Sequence, residues 1–226
     1  MKAIAIDCAC SRLTVAAKNE DKTCTAIYDI GMRQSETLVP ALDFVLEKAG
    51  LEKNELDYTA LTIGPGSFTG LRLGISALKA IECAFETPVY GISSLETYAF
   101  PYAALGLPVL ACIDANKDRF FAGLYKDEQS IIQDGDYDIP YLAEKLKEEK
   151  KIILAGFEKD TTKLKGLLQP AAPDLELIQI PVTAVTTDAL FQLAEQKKSV
   201  GISPLQDYDG PVYLRASEAE IKLTTS

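Results

Sequence analysis

The 226-residue chain contains no histidine and no tryptophan. Without histidine no Ser-His-Asp or Cys-His nucleophile can be assembled. Zinc sites of the HExxH type and two-histidine metal triads are excluded with it. No apolar run approaches the ~18 residues of a membrane span. The opening Met1-Lys2-Ala3-Ile4-Ala5-Ile6-Asp7 reads straight into a strand, with neither the apolar core nor the cleavage site of a secretory signal. Positive charge is also scarce: 23 Lys and Arg face 33 Asp and Glu, a net charge of −10. A phosphate backbone is bound by clustered Lys and Arg, which here are scattered and outnumbered, so a broad nucleic-acid footprint is not expected. The five cysteines are odd in number and mostly apolar in context, which favours reduced thiols and a cytoplasmic location. Cys8 and Cys10 form a lone C-x-C and read as strand residues.

What is present is a real core: 47% of the residues are hydrophobic. At about 150 residues per domain, the length suggests one large domain or two small ones. Lys2 to Cys8, Leu13 to Lys18 and Thr23 to Ile30 read as strands of an antiparallel meander, with Asn19-Glu20-Asp21 as a turn. The period then becomes helical at Leu38, Leu42, Val45, Leu46 and Ala49, with Ser35 as expected N-cap and Gly50 after the last turn. A strand Tyr58 to Ile63, a helix from about Thr69 to Phe85 and a strand Val89 to Ile92 complete a βββαβαβ order. The second half repeats it. Pro108 to Asp114, Phe120 to Lys126 and Ser130 to Asp134 read as strands. A charged helix Tyr141 to Lys150 follows, with Tyr141, Leu142 and Leu146 inward. Then come a strand Lys151 to Ala155, a helix Glu158 to Leu168, a strand Leu175 to Ile180 and a helix Thr187 to Lys198. The segment Pro101 to Pro108 is the expected boundary. This gives an N-terminal subdomain, 1–104, and a C-terminal one, 105–226, whose tail can pack back on the first.

A duplicated unit opening each time on a strand that ends in Asp is the layout of an actin-like ATPase (ASKHA, ribonuclease-H-like) α/β fold, with two subdomains and mixed sheets. In that layout the strand-end Asp serves a phosphate or its metal, and the next turn needs glycine for close backbone approach. The turns here, Asp7-Cys8-Ala9-Cys10 and Asp114-Ala115-Asn116-Lys117, have none. Each carboxylate can equally cap its own turn. The most specific stretch is Gly64-Pro65-Gly66-Ser67-Phe68-Thr69-Gly70-Leu71-Arg72-Leu73-Gly74, between a strand and a helix. It matches neither the P-loop nor the dinucleotide fingerprint. An anion could be held by Asp7, Ser67, Thr69 and Arg72 around the helix N-terminus. The bland alternative is a tight turn capped by Ser67 or Thr69. Gly70, Gly74, Ala77, Ala80 and Ala84 make a small-residue side on the helix, opposite Leu71, Ile75 and Leu78. Glycine inside a helix costs ~1 kcal/mol against alanine, so something packs close, either the first helix of the same unit or a helix of another chain.

The segment from Gly64 to Ile81 resembles the signature of the TsaB (YeaZ) family. The opening AIDCACSRLTVA, Arg33-Gln34-Ser35-Glu36 with Leu38, Ile92-Ser93-Ser94-Leu95-Glu96, Cys112-Ile113-Asp114-Ala115 with Tyr125, and Pro211-Val212-Tyr213-Leu214-Arg215 extend the resemblance over nearly the whole chain. It implies a non-catalytic subunit of tRNA N6-threonylcarbamoyladenosine modification, with no catalytic residue and no metal of its own. Its implied partners are a TsaD-like catalytic subunit and a TsaE-like ATPase, or a second copy through the same helices. Contact with tRNA is then indirect. No cofactor is implied for the isolated chain, while ATP or ADP is admitted at the partner interface. The helices that would pair, 35–49 and 69–85, contribute Gln34, Ser35, Leu38, Leu42, Gly70, Leu71, Gly74, Ala77, Leu78 and Ile81 as interface candidates. Catalytic relatives carry H-x-x-x-H on the first helix. Here Gln34-Ser35-Glu36-Thr37-Leu38 stands in that region and cannot form the site. The competing readings are an independent ATP-using enzyme of the actin-like fold and a glycoprotease-like peptidase.

Overall fold

The computed structural model describes residues 1–31, 33–180 and 185–215; the end of the second half beyond residue 215 lies outside them. The chain divides into two compact units, Met1–Thr97 with Ala184–Pro211, and Tyr98–Thr183 with Val212–Ser226.

In the first unit, β1 (Lys2–Asp7), β2 (Arg12–Asn19) and β3 (Lys22–Asp29) form the expected antiparallel meander. Strands β4 (Tyr58–Gly64) and β5 (Val89–Ser93) add in parallel, giving the order β3-β2-β1-β4-β5. Helices α1 (Gln34–Ala49) and α2 (Phe68–Phe85) cover one face. Side chains alternate across a strand. Ile4 and Ile6 join the core with Leu38, Leu42, Val45 and Leu78, while Ala3 and Ala5, equally buried, point to the other face. That face receives α6 (Thr186–Ser199), which packs on β1, β2, β4 and β5. Sequence order groups α6 with the second half, yet its partners are in the first. Small residues at Ala3, Ala5, Ala16 and Ala60 let it lie close. Tyr58 donates its hydroxyl to Glu195 Oε1 at 2.8 Å, and Lys18 Nζ reaches the same oxygen at 2.7 Å.

Helix α1 buries Gln34, Leu38, Ala41, Leu42, Val45, Leu46 and Ala49, a helical stripe. Its expected cap is corrected: Ser35 lies inside the helix, exposed, and Arg33 takes the N-cap position without a side-chain bond. The helix starts earlier because Gln34 Nε2 donates to Cys10 O at 2.6 Å, tying the first turn to the loop after β1. Gly50 ends α1 in the left-handed region (φ 65°), as glycine does most cheaply.

The second unit repeats the topology. Strands β6 (Val109–Asp114), β7 (Arg119–Lys126) and β8 (Gln129–Asp138) form a meander, and β9 (Lys151–Ala155) and β10 (Glu176–Gln179) add in parallel. The order is β10-β9-β6-β7-β8, the first sheet's order read from the other end. Helices α4 (Ile139–Lys145) and α5 (Glu158–Ala171) pack on one face through Leu142, Leu146, Leu164 and Leu168. Helix α4 is shorter than expected, and Tyr141 points outward, 40% exposed, where its ring stacks on Tyr137. Between β5 and β6 lie α3 (Ser94–Ala99) and a 3-10 turn Phe100–Leu105, the turn overlapping the expected boundary segment Pro101 to Pro108. Among the described residues no helix is long and apolar enough to cross a membrane.

Candidate functional site

Asp7 ends β1 and is 1% exposed. Its Oδ1 accepts from the Ala9 amide at 3.1 Å and from Thr62 Oγ1 at 3.0 Å. Burial pushes its carboxyl above the usual carboxylate range, against the lowering effect of the neighbouring Ala9, Thr186 and Thr62 groups and of the Arg12 charge. The Asp7–Ala9 bond closes the turn, so Cys8 and Cys10 lie after the strand rather than in it, correcting their assignment. The Cys8 thiol donates to Gly70 O at 2.9 Å, and burial pushes it up to about 12, which makes it an unreactive thiol.

The glycines of the motif answer to this turn. A β-carbon at Gly66 would collide with Ala9 O, one at Gly70 with Cys8 O, and one at Gly74 would lie 2.6 Å from Cys8 Sγ. Ser67 N donates to Ala9 O at 2.6 Å, and the Ser67 hydroxyl caps α2 by accepting from Gly70 N at 3.2 Å. The glycines thus let the chain close on itself. The space that close backbone approach opens is filled by the Cys8–Ala9 backbone, so these residues do not fit a phosphate. Thr69 and Arg72 are exposed, and the Arg72 guanidinium lies 3.8 Å from the centre of the Phe68 ring.

Asp114 is the counterpart of Asp7 in the second unit. Its Oδ1 accepts from Asn116 N at 2.9 Å, the same two-residue reach. Both of its oxygens also meet Lys163 Nζ, at 2.9 and 3.0 Å. An ammonium from α5 therefore neutralises this carboxylate. Among the described residues no group of three or more His, Cys, Asp or Glu is placed to hold a metal ion.

The interface candidates fall differently from expectation. Gln34, Leu38, Leu42, Gly70, Leu71, Gly74, Leu78 and Ile81 are all buried inside the first unit. They cannot form an outward surface as the unit stands. Ser35 is exposed and Ala77 half-buried. The small-residue side of α2 splits along its length: Gly70 and Gly74 pack on the Cys8 turn, while Ala80 and Ala84 face outward. Exposed apolar residues of the two helices are instead Val39 (57% exposed) and Phe44 (44%) on α1 and Ala80, Ala84 and Phe85 (45%) on α2. The available signal was phase. Val39 and Phe44 are apolar residues standing off the Leu38–Leu42–Val45–Ala49 stripe.

Two units of one topology, each opening on a strand-end Asp, define a duplicated α/β chain of the actin-like ATPase class. A solved Bacteroides thetaiotaomicron protein with an actin-like ATPase fold overlays with a TM-score of 0.50 at 11% identity, covering 84% of this chain and 95% of that one. The model of the family described as "TsaD: tRNA N6-adenosine threonylcarbamoyltransferase" matches residues 31–174. The tRNA threonylcarbamoyladenosine biosynthesis protein TsaB of Escherichia coli is 28% identical over 99% of this chain and 98% of its own length. A Pseudomonas aeruginosa structure, described as an uncharacterized protein with similarity to peptidase YEAZ, overlays with a TM-score of 0.78 at 22% identity, over 95% of this chain and 99% of that one. The chain belongs to the family of the TsaD model, and over nearly its whole length it is similar to TsaB proteins.

Proposed function

We propose that this chain serves tRNA N6-threonylcarbamoyladenosine biosynthesis as a non-catalytic subunit that docks a TsaD-like catalytic protein. The observation that carries the reading is that α1 and α2 leave Val39, Phe44, Ala80 and Ala84 exposed, in a chain whose own strand-end carboxylates are engaged internally. Exposed apolar residues on paired helices are what a partner helix pair buries. The family supports the pathway. The absence of histidine supports leaving metal chemistry to the partner. In the same reading a TsaE-like ATPase joins the complex, and any ATP or ADP lies at the partner interface. A second copy competes for the same face, tRNA is held mainly by the partner, and the assembly works in the cytoplasm.

The peptidase reading has no support in residues: without histidine neither a zinc protease nor a serine triad can be built. The test of the docking reading has two parts. The purified chain should co-elute with a TsaD-like protein, and Val39→Arg with Ala80→Arg should abolish co-elution while leaving the circular dichroism spectrum unchanged. Depletion of the chain should lower threonylcarbamoyladenosine in total tRNA by mass spectrometry. Unchanged modification would overturn the assignment, and co-elution surviving both substitutions would overturn the docking face.

A further inference from the structure

A second surface lies at the C-terminal ends of α1 and α2. A groove of about 470 Å³ runs between them and the 3-10 turn Lys53–Glu55. Its apolar lining is Leu46, Leu51 and Phe85, the last 45% exposed. Its acidic lining is Asp43, Glu47 and Glu52. The lining cation, Lys53, is engaged by Asp43 at 2.7 Å. Glu52 is held in a capping box: its side chain accepts from the Glu55 amide, and Glu55 Oε2 accepts from Glu52 N at 2.9 Å. The acidic rim therefore stands on fixed backbone around an apolar base.

We propose that this groove receives a protein segment in which one large apolar side chain is flanked by lysines or arginines. The apolar residue packs on the exposed Phe85 ring, beneath which Leu46 and Leu51 are buried in the core, and the flanking cations meet Glu52 and, in exchange for its Lys48 contact, Glu47. Charge selects this occupant. Nucleic acid and anionic lipid are disfavoured because the lining's carboxylates outnumber its one cation, Lys53, which Asp43 already engages, and a second copy of a chain carrying a net charge of −10 is disfavoured in the same way. The groove shares Phe85 with the outward side of α2, while the docking test residues Val39 and Ala80 are outside its lining, so the two readings are tested apart.

The test is selection of random dodecapeptides displayed on phage against the full-length protein. Counter-selection uses Glu47→Lys and, separately, Phe85→Ser. Glu47 is exposed in the last turn of α1, where a lysine suits the helix dipole, so that variant should fold. The expected result is a family of peptides with an aromatic or leucine between basic residues. Their affinity should fall at least tenfold on Glu47→Lys and on Phe85→Ser, fall again with rising salt, and persist on Val39→Arg. Peptides without basic flanks, or affinity unchanged by both groove substitutions, would overturn the proposal. Should Phe85→Ser fail to fold, Glu47→Lys alone decides.

Discussion

The Cα of Gly74 lies against the Cys8 thiol so closely that a β-carbon there would stand 2.6 Å from Sγ. Cys8 cannot swing away freely, because its thiol is bonded to Gly70 O and fully buried. Gly74→Ala should therefore overpack the contact, at about 1–3 kcal/mol, offset in part by the ~1 kcal/mol that alanine gains in a helix. Cys8→Ala removes the obstructing sulfur. The double variant should lose less stability in urea unfolding than the two single losses added together, by about 1 kcal/mol. Strict additivity would show that the two residues do not press on one another. Gly74→Leu should fail to fold, which reverses the expectation that this face binds a partner.

That reversal shows what the sequence could and could not convey. The duplicated strand and helix order was legible because hydrophobic period and turn residues are local properties, as at Leu38-Leu42-Val45 and Asn19-Glu20-Asp21. The close packing around Gly70 and Gly74 was legible as a demand for small residues. The identity of the packing neighbour was not, because Cys8 is more than sixty positions away and reaches α2 only through the sheet. Val39 and Phe44 stand off the Leu38–Leu42–Val45 stripe, so their exposure was available as phase, but whether another element covers them depends on tertiary packing. The placement of α6 against β1 was likewise a tertiary fact, set by Ala3 and Ala5 leaving room and by the Tyr58–Glu195 contact.

Asp7 supplies a prediction in pH. Burial raises its carboxyl pKa above the unfolded value, so the folded state holds the proton more tightly than the unfolded state. The contribution is full below the unfolded value and is lost as pH rises through the folded one. The Ala9 and Thr62 bonds both end on Oδ1, which an asparagine can reproduce, while Thr186 and the Arg12 charge also act on the carboxylate. Asp7→Asn should fold, and its urea midpoint should fall less than that of the native chain between pH 4 and pH 8. A steeper fall in the variant would refute the burial argument. So would nucleotide binding by the native chain that is lost in the variant, because Asp7 would then serve a phosphate.

Glu195 titrates in the opposite sense. Burial alone would raise its carboxyl, but the Lys18 and Tyr58 bonds outweigh burial and hold it below the usual range. Its contribution is present at neutral pH and lost as pH falls through the lowered value. Tyr58→Phe removes from a fully buried ring the hydroxyl that bonds Glu195 and, more distantly at 3.5 Å, Phe191 O, and should cost about 1 kcal/mol. Glu195→Ala leaves the Tyr58 hydroxyl buried without its carboxylate partner and should cost more, about 2 kcal/mol. Urea titrations at pH 7 check both values. Hydrogen exchange should show the loss first in α6, the element that the network fastens.

In the second unit Asp136 joins two arginines. Its Oδ1 accepts from Arg119 Nε at 2.9 Å and its Oδ2 from Arg215 Nε at 2.6 Å. Arg215 Nη1 also donates to Ala115 O at 2.9 Å. The turn so held contains Asn116, Lys117 and Asp118, all with positive φ (62°, 53° and 54°), where residues other than glycine are strained. The guanidinium fork supplies the two directions at once, toward the carboxylate and toward the carbonyl, and an ammonium cannot reproduce it. Arg215→Lys should therefore behave like Arg215→Ala, with amide exchange faster from Asn116 to Phe120 and little changed in β9. Asp136→Asn should produce the same local pattern, because it weakens both arginine contacts together. Protection in the turn that survives Arg215→Ala would place the restraint in the Ala115 N to Arg119 O bond at 3.0 Å instead, and the arginine bridge would then be a consequence of the turn and not its cause.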